Sequence, residues 1–198
     1  MKHEGWIPHD LGVALDAAQD SMLRRFAGLL REVAVPKKMM ARSDSPRIWR
    51  RHVLDGLRGA RLIPSHARIV YDLGSGAGIP GVPVGIARHD LVVALSEPRR
   101  DRAAFLELVV EQLGLDNVSV HVGRAEELGP RKADVCLARA FRGPGESWNV
   151  ADQLLAPAGS LLYWAGSGAT VDVDGVRSQA FSTPSLADAG PIVMMTRQ

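Results

Sequence analysis

Two carboxylates and a cluster of glycines carry the chemistry open to this chain. Asp72 closes an apolar run, and the turn that follows, Leu73-Gly74-Ser75-Gly76-Ala77-Gly78-Ile79-Pro80-Gly81, is dense in glycine. Glycine takes positive φ without penalty and lets a ligand approach the backbone. A helix beginning beyond the turn offers unpaired N–H groups. This is the build of a nucleotide-type cofactor site between a strand and a helix. Glu97, in Leu95-Ser96-Glu97-Pro98, ends a second apolar run. A carboxylate there has the lone pairs to accept hydrogen bonds from both hydroxyls of a ribose.

The turn formally matches G-x-G-x-x-G over residues 76–81, a pattern that suits a dinucleotide. Pro80, however, lacks an N–H that would serve a pyrophosphate, and the chain is short for the second domain that many dehydrogenases add. S-adenosylmethionine (SAM) fits better. It has no phosphate, Asp72 suits its cationic methionine end, and the cradle of Gly74, Ser75, Gly76 and Gly78 leaves room for sulfonium and ribose. Arg124, Ala125 and Glu126 follow a third apolar run, where backbone groups can read an adenine, and Arg139 follows a fourth. Ligands in open α/β sheets lie outside the carboxyl ends of the strands, and all four segments fall at such ends.

Positioning these residues requires alternating strands and helices. Short apolar runs predict strands over 69–73, 91–95, 118–122, 134–138, 161–164 and 192–196, and helices over 80–88, 99–113 and 146–155, the last stopped by Pro157-Ala158-Gly159. Such alternation predicts an α/β fold, a parallel sheet with helices on both faces. Upstream, Leu11, Leu15, Ala18, Met22, Phe26, Leu29 and Val33 recur at helical spacing until Pro36. A second helix is predicted over 46–57, with Trp49, Val53 and Leu57 inward. Pro64 divides this helical extension, residues 1–64, from a cofactor-binding domain, residues 65–198, and 166–190 reads as a loop or weak hairpin.

The 198 residues suit one structural unit, and a net charge of +2 says little by itself. Its distribution says more: eleven Arg/Lys face three acids between Arg24 and Arg61, the footprint of a polyanion partner or else a solvated helix face. The single cysteine, Cys136, excludes an internal disulfide and is expected to be a buried small hydrophobe. His3, His9, His66, His89 and His121 lack ligand spacing, so no metal is expected. No run is long enough to span a membrane, and the first residues lack a signal-peptide apolar region. The expectation is a cytoplasmic protein with no membrane partner.

The residues 51–55, Arg-His-Val-Leu-Asp, joined to the proline-containing glycine turn, Glu97, Phe105-Leu106, Leu113-Gly114-Leu115, Arg124-Ala125-Glu126 and Arg139-Ala140, resemble the bacterial RsmG/GidB family. The likeness runs from about Arg47 to Gly166. It implies a class I SAM-dependent methyltransferase, Rossmann-like, with a helical N-terminal extension, acting on N7 of a guanine in small-subunit rRNA. Guanine N7 carries a lone pair and no proton, so methylation there needs no general base. Arg51 and His52 are expected to face the cleft and hold the substrate base or a phosphate. Arg139 is expected to contact substrate or the cofactor carboxylate, with Arg139 and His52 as the catalytic candidates. A hydroxyl or protonated amine acceptor would instead call on His52 as base. The sequence departs from the family where Ala165 replaces a lysine after the fifth strand and where Ala189-Gly190-Pro191 lacks an arginine. The C-terminal third reads as shortened. A small-molecule N- or O-methyltransferase is the alternative, and a nucleic-acid-binding module holding SAM as a structural or regulatory group is a third.

Overall fold

The computed structural model describes residues 9–198; the first eight, with His3 and the stretch read for a leader, lie outside the described residues. Among the described residues, seven strands form one sheet: β1 (Ile69–Leu73), β2 (Val92–Ser96), β3 (Val118–His121), β4 (Ala133–Arg139), β5 (Leu155–Trp164), β6 (Val176–Phe181) and β7 (Ile192–Arg197). Their order is β3-β2-β1-β4-β5-β7-β6. Strands β1 to β5 run parallel, while β7 is antiparallel to β5 and β6 antiparallel to β7. The order reverses between β1 and β4, which creates the crevice where open α/β sheets bind ligands. This is the class I SAM-dependent methyltransferase fold.

Among the described residues, five α-helices accompany the strands: α1 (Ala17–Leu29), α2 (Asp55–Leu57), α3 (Gly81–Ala87), α4 (Arg100–Leu113) and α5 (Pro144–Leu154). The first starts later than its apolar spacing suggests, because Asp16 caps it. The Asp16 carboxylate accepts from Gln19 N–H at 2.8 Å, and Gln19 Oε1 accepts from Asp16 N–H at 2.9 Å. Leu11 sits in a separate 3-10 turn, His9–Leu11. The predicted helix over 46–57 is helical but only its end is α: a π-helical stretch, Trp49–Leu54, runs into α2. One further expectation is corrected, and for 166–190 the hairpin alternative is the one found, with β6 running antiparallel to β7. Residues 157–159 do not stop a helix but lie inside β5, since α5 already ends at Leu154. The polar stretch 166–190 contains β6, an exposed edge strand whose alternation carries little apolar signal.

Alternation along the strands sorts the side chains. In β4, Val135 and Leu137 belong to the core that also holds Leu23, Phe26, Ile48, Val82 and Leu106. Cys136 and Ala138 join Trp148, Leu154 and Met195 on the opposite face. By the same period, Arg139 points toward the N-terminal segments. Asp72 shares the face of Val70, beneath α3.

Gly81 opens α3 and shows what this packing demands. A Cβ built there would press on Leu95 and stand 2.6 Å from Asp72 Oδ2. Neither neighbour has room to retreat, so Gly81→Ala is expected to cost about 2–4 kcal/mol, read as a lower urea midpoint at constant slope.

Candidate functional site

The carboxyl ends of β1, β2 and β3 are laced into one rim. Ser75 N–H donates to Ser96 O at 2.8 Å, Glu97 N–H to His121 O at 3.1 Å, and Ser96 Oγ–H to Gly123 O at 3.1 Å. The glycine turn crosses this rim with positive φ at Gly74, Gly76 and Gly78 (69°, 59° and 87°). Glu97 is 3% exposed. Its Oε2 accepts from Gly76 N–H at 3.0 Å and its Oε1 from Arg99 N–H at 2.9 Å. The second-strand acid therefore fixes the turn directly and retains acceptor lone pairs for a diol. A Cβ built on Gly76 meets nothing closer than 3.9 Å, so the space over this residue is open. These features fit the adenosyl end of SAM.

Asp72 is placed differently from its expected role. Its side chain is buried under the turn, with Oδ2 accepting from Gly81 N–H at 3.1 Å. Burial pushes its carboxyl up to about 7, against the hydrogen bonds from Ser75 and Gly81. It braces the turn from below, and its carboxylate is not an exposed surface of the cleft.

Ala140, directly after β4, has φ of 53°, a left-handed conformation that strains a non-glycine residue. The kink turns Phe141 onto the glycine turn, where a Cβ on Gly74 would lie 2.6 Å from Phe141 Cδ2. Arg142 stacks on the same ring at 4.7 Å and pairs with Glu126 at 2.7 Å. Ala125 is buried, while Arg124 and Glu126 are exposed at the end of β3. Glu126 is thus occupied by Arg142.

Arg139 joins sheet and extension. Its Nε donates to Asp55 Oδ2 at 2.9 Å and its Nη2 to Arg51 O at 3.2 Å. Nη2 also lies 3.4 Å from His52 Nδ1. His52 is 7% exposed, with Nε2 3.4 Å from Asp44 Oδ2. Burial, then the charge of Arg139, outweigh Asp44 and push His52 down to about 4. It is neutral at pH 7 and a feeble base. The tautomer with its proton on Nε2 lets Nδ1 accept from Arg139. Arg51 is exposed and 3.6 Å from Asp44.

Asp55 is the hub that residue-by-residue reading left without a role. Its Oδ1 takes Arg58 Nε at 2.8 Å, its Oδ2 takes Arg139, and its carbonyl accepts Trp164 Nε1–H at 2.8 Å. Arg58, 1% exposed, also donates to Gly190 O at 2.7 Å. A signal existed: Asp55 and Arg58 stand three apart amid Val53, Leu54 and Leu57, the spacing of a buried pair on an apolar helix. The departure at 190 also has a physical reason. A Cβ on Gly190 would collide with the Ala165–Gly166 backbone, so no arginine fits there.

Comparison with known proteins agrees with this geometry. The profile of the family described as rRNA small subunit methyltransferase G matches residues 19–183. The ribosomal RNA small subunit methyltransferase G of Thermobifida fusca is 39% identical over 184 residues, covering 92% of this chain and 77% of that one. Its counterpart in a Nocardioides species is 40% identical over 154 residues, 77% of this chain, but this chain spans only 61% of that relative's length. Among solved structures, a SAM-dependent methyltransferase from Aquifex aeolicus superposes with a TM-score of 0.60 at 15% identity, covering 81% of this chain and 97% of that one. MtNAS in complex with MTA and tNA gives 0.60 at 18% identity, covering 90% and 70%. The fold, the turn with its two acids and the profile match converge: the chain belongs to the rRNA small subunit methyltransferase G family.

Proposed function

We propose that the protein transfers a methyl group from SAM to N7 of a guanine in small-subunit rRNA, in the cytoplasm. The observation that carries this reading is that a glycine turn fixed by Glu97 and a cleft lined by arginines both stand at the carboxyl ends of the parallel strands. Glu97, the turn from Gly74 to Gly78 and the backbone around Ala125 would hold the adenosyl part, with Asp72 opposite the positive charge. When bound, SAM supplies a methyl group already activated by its sulfonium. The chain's work is then to align the acceptor ring and keep water out. Arg139, fixed by Asp55, supports the acceptor beside the turn. His52, at about 4, is poorly matched to deprotonating a hydroxyl at neutral pH. That favours an acceptor atom with no proton to lose over the small-molecule hydroxyl alternative.

The test is methyl transfer from labelled SAM to naked rRNA, to assembled small subunits and to a small-metabolite extract, with the modified product identified. Label on a guanine N7 of the rRNA is the expected result, and label confined to a metabolite overturns it.

Much of the basic run is internally paired: Arg24 with Asp20, Arg25 with Glu32, Arg50 with Asp188. Lys37, Lys38 and Arg42 are exposed on one turn-rich segment. Reversing all three charges is expected to weaken RNA binding by about tenfold or more. It should also flatten the salt dependence by about one log–log unit for each phosphate no longer neutralised, while SAM affinity stays unchanged. Filter binding at several salt concentrations measures both.

A further inference from the structure

We propose that the cleft between the ends of β4 and β5 and the Trp49–Leu54 stretch is a seat for one phosphate group of the acceptor RNA strand. This rests on the RNA reading above. The cleft has a volume of about 600 Å³, ample for a nucleotide's phosphate and sugar. Its charged lining is Arg50, Arg51, Arg58 and Arg139 against Asp55 and Asp188, a net of two positive charges, one of which, on Arg51, is offset by Asp44 at 3.6 Å behind the lining. At the floor, one carboxylate serves two guanidinium groups: Asp55 holds Arg58 at 2.8 Å and Arg139 at 2.9 Å. Arg58 and Asp55 are 1% and 6% exposed. The floor therefore keeps an uncompensated positive charge on groups whose orientation is already fixed, the arrangement that binds a planar or tetrahedral oxyanion well.

The rim supplies the second half. Arg50 meets Asp188 at 2.7 Å, with 48% and 68% of the two side chains exposed. An ion pair so exposed is worth little. The Asp188 carboxylate stands on Arg50 where a phosphate oxygen would stand, and exchanging one for the other costs little. Asp188 thus acts as a weak internal competitor, and this gives the proposal its signature. Removing the Asp188 charge should tighten phosphate binding, whereas removing Arg50 should loosen it. If the arginines served only the fold, neither change would act on a ligand.

The experiment uses the whole chain at low ionic strength, with calorimetric titration of guanosine 5′-monophosphate, guanosine, inorganic phosphate and a five-nucleotide single-stranded RNA. Guanosine monophosphate should bind about tenfold tighter than guanosine, and the RNA tighter still. Asp188→Asn should improve both phosphate-bearing ligands by about threefold, and Arg50→Gln should weaken both by about fivefold. SAM affinity should be equal in all three chains. Equal binding of guanosine and its monophosphate overturns the seat, as do two variants that shift affinity in the same direction or not at all. A response of inorganic phosphate and monophosphate without a response of the RNA overturns the strand assignment in favour of a free phosphate. Failure of the unaltered chain to bind SAM strikes instead at the methyltransferase reading on which the seat rests.

Discussion

Replacing Glu97 by alanine is expected to weaken SAM binding about 100-fold while the chain stays folded. Two losses combine. The carboxylate that would accept the ribose hydroxyls disappears, and charged hydrogen bonds of this kind contribute about 1.5–3 kcal/mol each. Gly76 N–H and Arg99 N–H, now held at 3.0 and 2.9 Å, also lose their acceptor, so the turn loosens before any ligand arrives. Glu97→Gln separates the two effects. It keeps the shape and one acceptor oxygen but sets its NH2 donor against the other backbone N–H, so it should restore only part of the thermal stability and part of the affinity, leaving the latter about tenfold weak. Calorimetric titration of both variants, beside their melting curves, reads the two effects apart. An unchanged SAM affinity in folded Glu97→Ala would remove the residue from the site.

The second large effect is a pH dependence of cofactor affinity. Asp72 sits at about 7 in the free chain because burial disfavours its charge. At pH 6 it is mostly protonated, and a cationic ligand end favours the ionised form. Binding below pH 7 must therefore release a proton. Affinity should rise with pH by up to about tenfold per unit until about pH 7, then level off. Asp72→Asn should bind more weakly and without this slope. Calorimetry in two buffers of different ionisation heat counts the proton directly, and a flat profile for the unaltered chain across this range would contradict the prediction.

Fold stability responds to the same groups with opposite signs. The raised Asp72 value gives a contribution that is complete below about pH 4 and is lost as pH rises through about 7. His52, lowered to about 4, contributes fully above its unfolded value of about 6.5 and loses that contribution as pH falls toward 4. Between those limits the two slopes oppose each other. Unfolding midpoints should be nearly level in the unaltered chain, while Asp72→Asn should leave the His52 slope alone, with stability rising from pH 4 to 6.5.

The sheet was legible wherever both faces of a strand are buried, because such strands are continuous apolar runs. The first strand, read over 69–73, coincides with β1. The β6 edge strand was not legible: its residues face solvent on both sides, and Arg177, Ser178 and Gln179 carry no period. The start of α1 was missed because its capping box uses Asp16 and Gln19, and because the same Gln19 reaches Ile86 O at 3.0 Å, a tertiary contact no local pattern reveals. At the site, positions followed from the rule that ligands gather at strand ends. Partners did not. That Arg139 meets Asp55 depends on strand alternation and on a π-helical approach together, two features a linear reading treats apart.

The lacing of the three strand ends by Ser75, Ser96 and Gly123 means that the proposed adenosyl seat is assembled before anything enters it. On the proposed reading, a preassembled seat grips S-adenosylhomocysteine, the spent donor, through every contact it offers the fresh one, except those made to the positive sulfur. Discrimination between the two then falls to Asp72 and its state of ionisation. Such a catalyst throttles itself as its by-product accumulates, and the cell's clearance of that by-product sets the pace of modification as much as the catalyst does.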